Sequence, residues 1–88
     1  MLRMSHTPDD HTVRLTLEGK LAGPWVSELE FALEQELSRG ETPALDLEQV
    51  RFVDAAGLDL LRRMRARGVE IVSQSGFVAE LLRTEDRP

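Results

Sequence analysis

The stretch Leu45–Leu61, LDLEQVRFVDAAGLDLL, packs a buried strand, a tight turn at Asp54-Ala55-Ala56-Gly57 and the opening of a helix into one run. A strand that runs directly into a helix brings the turn to the helix N-terminus. Unpaired N–H groups and the positive end of the macrodipole converge there, a place suited to an anion or a docking partner. Asp54 stands where an N-cap stands, its carboxylate able to accept an N–H two or three residues on. Ala55 and Ala56 follow, so the turn offers no hydroxyl or thiol to phosphorylate or to attack a substrate. Function has to be sought mainly in shape and surface.

The rest of the chain sets the limits. Its 88 residues predict one domain over 1–88 with a single compact core. A hydrophobic content of 41% against 31% charged indicates a globular chain, and 5% aromatic content points to an aliphatic core. With no cysteine there is no disulfide, thiol nucleophile or cysteine zinc site, which fits a reducing compartment and predicts a cytoplasmic protein. The N-terminal MLRMSHTPDDHTV lacks the apolar core of a signal peptide, and no run approaches the roughly 18 apolar residues of a membrane span, so no direct membrane insertion is expected. A net charge of -5 argues against nucleic acid, whose binding relies on cations that displace counterions from phosphates. The local exception, RRMRAR at 62–67, has no interleaved aromatic residue to stack on bases.

Working outward, Thr12–Glu18 alternates as TVRLTLE, with Val13, Leu15 and Leu17 on one face, and reads as a half-buried strand. Leu2 and Met4 alternate with Arg3 and Ser5 before a Thr7-Pro8-Asp9-Asp10 turn, which predicts an antiparallel hairpin partner. Gly19–Gly23 reads as a loop, with Pro24 as the first helical residue. Val26, Leu29, Leu33 and Leu37 then recur at helical spacing among Glu28, Glu30, Glu34 and Glu36, and Arg39-Gly40 closes this amphipathic helix. Ala44–Leu47 reads as a short strand and Val50–Val53 carries the chain to the turn. A helix over Ala55–Arg67 buries Leu60, Leu61 and Met64 and stops at Gly68. Val69–Val72 is the next strand, and Ser75 caps a final helix holding Phe77, Val78, Leu81 and Leu82. Thr84–Pro88 reads as a loose tail. The order predicts an α/β fold: a mixed sheet of about four strands, mostly parallel, with an N-terminal antiparallel hairpin and about three helices.

Few groupings suggest chemistry. Asp46 and Asp54 on one strand hint at a phosphate receiver, but that design needs further acids at the end of a neighbouring parallel strand to hold a metal, and Asp9 and Asp10 fall in the hairpin turn instead. His6 and His11 flank the same turn and read as solvated residues rather than metal ligands. Gly19 and Gly23 match neither a P-loop nor a dinucleotide fingerprint. No Ser/His/Asp set assembles. The expectation is a non-enzymatic protein with no cofactor and no metal. Phe31 falls opposite the apolar stripe of its helix, among glutamates, and is a candidate contact point. Trp25, near the stripe edge, reads as core packing. Leu58 projects from the inferred core face beside Arg62 and Arg65, and its exposure depends on sheet packing.

Layout and turn together resemble the STAS domains, typified by bacterial anti-sigma factor antagonists. The resemblance is carried by VRLTLEGKLAG at 13–23, the helix opening at Pro24, and above all Asp54-Ala55-Ala56-Gly57-Leu58 after a hydrophobic strand. It implies a protein partner. In the antagonists a Ser or Thr between the Asp and the Gly is phosphorylated by an anti-sigma kinase, and about two added negative charges break the complex. Ala55 and Ala56 hold those positions here, which implies docking without that phosphoswitch. By resemblance the partner meets Asp54, Ala55, Ala56, Gly57 and Leu58 and the exposed face of the following helix, including Asp59, Arg62, Arg63 and Ala66. Two other roles follow from the family: an accessory subunit docking on an ABC transporter ATPase, and a ligand-sensing module, for which no distinctive ligand-binding residues appear. Many STAS domains also continue beyond a final helix as short as Phe77–Arg83. The shortfall in cover implies a sheet edge and core surface that a homodimer would bury.

Overall fold

The computed structural model describes residues 2–9 and 12–85. Seven elements follow in order: β1 (Leu2–Asp9), β2 (Thr12–Leu21), α1 (Pro24–Ser38), β3 (Ala44–Val53), α2 (Ala55–Ala66), β4 (Glu70–Gln74) and α3 (Gly76–Glu85). The strands form one sheet in the order β1-β2-β3-β4. β1 pairs with β2 antiparallel, and β3 pairs parallel with both β2 and β4. The two parallel crossovers step the same way across the sheet, and right-handed connection then places α1 and α2 on the same face. Leu15, Leu17, Leu21, Leu45, Leu47 and Val50 from the sheet meet Leu29, Leu33, Leu60, Leu61, Met64, Val78 and Leu82 from the helices in one aliphatic core. Val78 and Leu82 put α3 on that core as well, so among the described residues the sheet's other face carries no helix.

The alternating pattern sets β2, and it runs further than the loop expected at Gly19–Gly23. Gly19 continues the inward positions of Leu15 and Leu17 without a side chain, and Leu21 is fully buried, so the strand persists to Leu21. β3 is one strand rather than two pieces. Its register against β2 shifts twice, between Thr16 and Glu18 and between Gly19 and Lys20, and each shift places an extra β3 residue opposite β2. Inward positions on β3 therefore change from alternation to Leu47, Val50 and Val53, which broke the period-two signal. Asp46 Oδ1 accepts the Glu48 N–H at 3.1 Å beside the first bulge. β4 begins at Glu70 instead of Val69, which is buried at the end of the preceding turn.

Local chemistry fixes the helix ends. Gly40 at φ 81° closes α1, with the Gly40 N–H on the Leu37 carbonyl and the Glu41 N–H on the Glu36 carbonyl. Gly68 at φ 99° closes α2 in the same way, through Gly68 on Arg65 and Val69 on Met64. Val26, Leu29 and Leu33 are buried as the helical spacing requires, but Leu37 is half-buried and Glu36 is buried instead, with Arg39 3.5 Å from its carboxylate. Ser75 caps α3 by accepting the Val78 N–H at 3.2 Å while donating to the Val50 carbonyl at 2.8 Å. That helix continues through Glu85, so residues 84 and 85 are helical rather than part of a loose tail; 86–88 lie outside the described residues.

Candidate functional site

The Asp54 turn sits where the chain leaves the C-terminal end of β3. Asp54 has extended backbone (φ -82°, ψ 179°) and caps α2: its Oδ1 accepts the Gly57 N–H at 2.7 Å. The other oxygen, Oδ2, accepts the Gly23 N–H at 3.0 Å from the loop that opens α1. The Asp54 N–H in turn donates to the Leu21 carbonyl at 3.1 Å. One aspartate thus ties the end of β2, the start of α1 and the start of α2 into a single corner. The Gly23 N–H, followed by the Gly57 N–H, holds the Asp54 carboxyl below its ordinary value of 3.8, against a smaller opposing effect of desolvation. With both oxygens engaged by amides of the fold, Asp54 works here as a cap and a strut.

Gly57 completes the corner. A Cβ built on it would lie 2.7 Å from the Leu21 carbonyl oxygen and 2.9 Å from Val53 Cγ1. The turn requires glycine because backbone approaches it, and Gly57 itself is buried. It shapes the expected partner surface without contributing side-chain contacts to it. Leu58, whose exposure the sequence left to the sheet packing, is half-buried and packs on the core. Ala55 and Ala56 are exposed at the helix start.

Beyond the turn, Leu60, Leu61 and Met64 point inward, which leaves Ala55, Asp59, Arg62 and Ala66 exposed along the outer side. Arg63, expected to meet a partner, is exposed and also bridges to α1. Its Nη1 lies 3.1 Å from Glu30 Oε2, and its Nε donates to Asp59 Oδ2 at 2.9 Å. One turn on, Arg67 Nη1 donates to Glu34 Oε2 at 2.6 Å. These contacts form a ladder between the two helices. The Arg67 hydrogen bond is the main reason the Glu34 carboxyl lies below its ordinary value, and Glu34 raises Arg67 in return. Glu30 first, then Asp59, raises Arg63. The ladder went unread in the sequence, although Glu30/Glu34 and Arg63/Arg67 share an i,i+4 spacing on facing helices.

The other singled-out residues scatter. Phe31 is exposed on α1, at 66%, as its helical phase required, and Trp25 packs half-buried against the core. His6 is exposed on β1, whereas Asp10 and His11 lie outside the described residues. Among the described residues no group of three or more His, Cys, Asp and Glu could hold a metal ion, and no helix is long and apolar enough to cross a membrane.

A family model described as "Mlab, STAS domain" matches residues 4–84. The chain belongs to the STAS-domain family. Within that match, the Asp54-to-Gly57 corner is a cap paired with a glycine that a carbonyl crowds. Among solved structures, the fold is similar to part of one titled "Crystal Structure Analysis of Mglu", with a TM-score of 0.62 and 24% identity. The match covers 81% of this STAS chain and 19% of that protein, a likeness of fold alone. No curated protein matches the chain.

Proposed function

We propose that this STAS domain is a non-enzymatic regulator that binds a protein partner through the outer side of α2, built like an anti-sigma factor antagonist but without a phosphoswitch in its turn. The observation that supports this reading is the composition of that side. Ala55, Asp59, Arg62 and Ala66 are exposed, while Gly57, Leu60, Leu61 and Met64 fix the helix from behind. The Asp54 corner makes the surface rigid before a partner arrives, which limits the ordering cost of binding. Ala55 and Ala56 occupy the positions where the antagonists carry a phosphoacceptor, so binding is constitutive in this reading. The same absence favours a second role, docking on an ABC transporter ATPase, because such an accessory subunit needs no phosphorylation in the turn. Ligand sensing and homodimerisation draw no comparable support from these residues.

The test is affinity capture from native cells with the wild-type chain beside Arg62→Glu, which keeps the Arg63 ladder intact. Stability of the variant should stay within about 0.5 kcal/mol, as for an exposed position. Recovery of a kinase-like anti-sigma protein by wild type alone supports the first role, and recovery of a transporter ATPase supports the second. Equal recovery of the same partner by both forms places the interface elsewhere.

A further inference from the structure

A second surface lies on the helix-free face, away from the outer side of α2. β4 ends at Gln74, paired with Leu47, so the upper half of β3 has an open flank where α3 begins. Phe77, in the first turn of α3, stacks there on Phe52 with ring centroids 6.2 Å apart and planes 23° from parallel. Both rings stay substantially open, Phe52 at 43% and Phe77 at 41%. Lys20 is the register partner of Phe52 on β2, so the two side chains share a face, while Arg51 adjoins it in sequence and lines a shallow depression with Arg3, Glu18 and Gln49. Arg3 is paired with Glu18. Among the described residues, Lys20 and Arg51 are the lysine and arginine side chains that make no ion pair or hydrogen bond. Among the described residues of a chain of net charge -5, two cations without a polar partner thus lie near an exposed aromatic stack, Lys20 across from Phe52 and Arg51 next to it in sequence.

We propose that this patch docks an acidic peptide segment that carries an apolar anchor residue. Phe52 and Phe77 give the anchor an apolar seat, and Lys20 and Arg51 supply the complementary charge that fixes the segment's position. An extended polyanion fits less well. A nucleic acid or an anionic bilayer would also lie against Glu18 and Asp46 further along the same face, in the field of a net-negative domain. A short segment feels chiefly the local cations, since screening at physiological salt acts over about 8 Å.

The experiment is an NMR titration of the 15N-labelled full chain with a twelve-residue peptide of Glu and Asp around one central Phe. Parallel titrations use the same peptide with central Ala, a Lys/Arg counterpart, vesicles containing phosphatidylserine, and oligothymidine. Shifts from the Phe peptide should centre on Lys20, Arg51, Phe52 and Phe77 and shrink as salt is raised. Lys20→Glu/Arg51→Glu, which touches no core side chain, should weaken binding by about tenfold or more, and the Ala and basic peptides should bind more weakly. Absence of shifts at millimolar peptide, shifts centred elsewhere, equal affinity in the charge-reversed chain, or tighter binding of vesicles or oligothymidine would each overturn the proposal.

Discussion

Replacing Gly57 with alanine separates two physical effects of opposite sign. On helix propensity alone the change gains about 1 kcal/mol, because glycine loses more backbone freedom in a helix than alanine does. The corner says otherwise. The new methyl would sit 2.7 Å from the Leu21 carbonyl oxygen, 2.9 Å from Val53 Cγ1 and 3.1 Å from Leu21 Cγ. The Leu21 carbonyl cannot retreat freely, since it accepts the Asp54 N–H at 3.1 Å. Relief has to come from moving α2 outward, which stretches the Asp54 cap and loosens Leu60 and Leu61. Overpacking of this kind costs about 1–3 kcal/mol, and the lengthened cap adds to it, so we expect a net loss of about 1–2 kcal/mol. For a domain of this size that is a fall in melting temperature of roughly 5–15 °C. Gly76→Ala is the internal control. It lies at the start of α3 with an ordinary φ and no atom within 4 Å of the added Cβ, and should gain about 0.4–1 kcal/mol. Thermal and urea unfolding followed by circular dichroism measure both, with an unchanged denaturant slope confirming that stability alone has moved. A Gly57→Ala chain as stable as wild type would refute the steric account of the motif.

Three further outcomes follow from the same geometry. Because the Asp54 carboxyl is lowered in the fold, its stabilisation is present above its ordinary value of 3.8 and fades as pH falls through the folded value. Asp54→Asn keeps one acceptor oxygen and leaves either the Gly57 or the Gly23 N–H without a partner, so it should melt lower at neutral pH, with the gap to wild type closing in acid; a constant gap across an acid series would contradict this. Glu34→Gln should lower the melting temperature slightly at low salt. That difference should vanish near 1 M salt, where the screening length is about 3 Å, and a salt-independent difference would mean that packing, not charge, joins α1 to α2. If the sheet edge is buried by self-association, light scattering at high micromolar concentration should report a dimer, and a monomer would remove that expectation.

Much of the architecture was legible because it rests on local rules. Val13, Leu15 and Leu17 alternate, Val26, Leu29 and Leu33 recur at helical spacing, and Gly40 and Gly68 stop helices; each signal acts within a few residues. Asp54 as a cap and Ser75 as a cap were readable for the same reason. Tertiary structure decided whatever depends on two segments meeting. The bulges in β3 arise from its register against β2, and no pattern in β3 alone specifies them. The bond from Gly23 to Asp54, the carbonyl that makes Gly57 obligatory, and the turning of Arg63 and Arg67 toward Glu30 and Glu34 all join residues about thirty or more positions apart. The pairing of Phe52 with Phe77, 25 positions apart, beside Lys20 likewise places apolar rings and cations on a face that the sequence leaves undistinguished. Composition and periodicity settle which residues seek burial, but the path of the chain through space settles which polar groups find partners and which are left to meet another molecule.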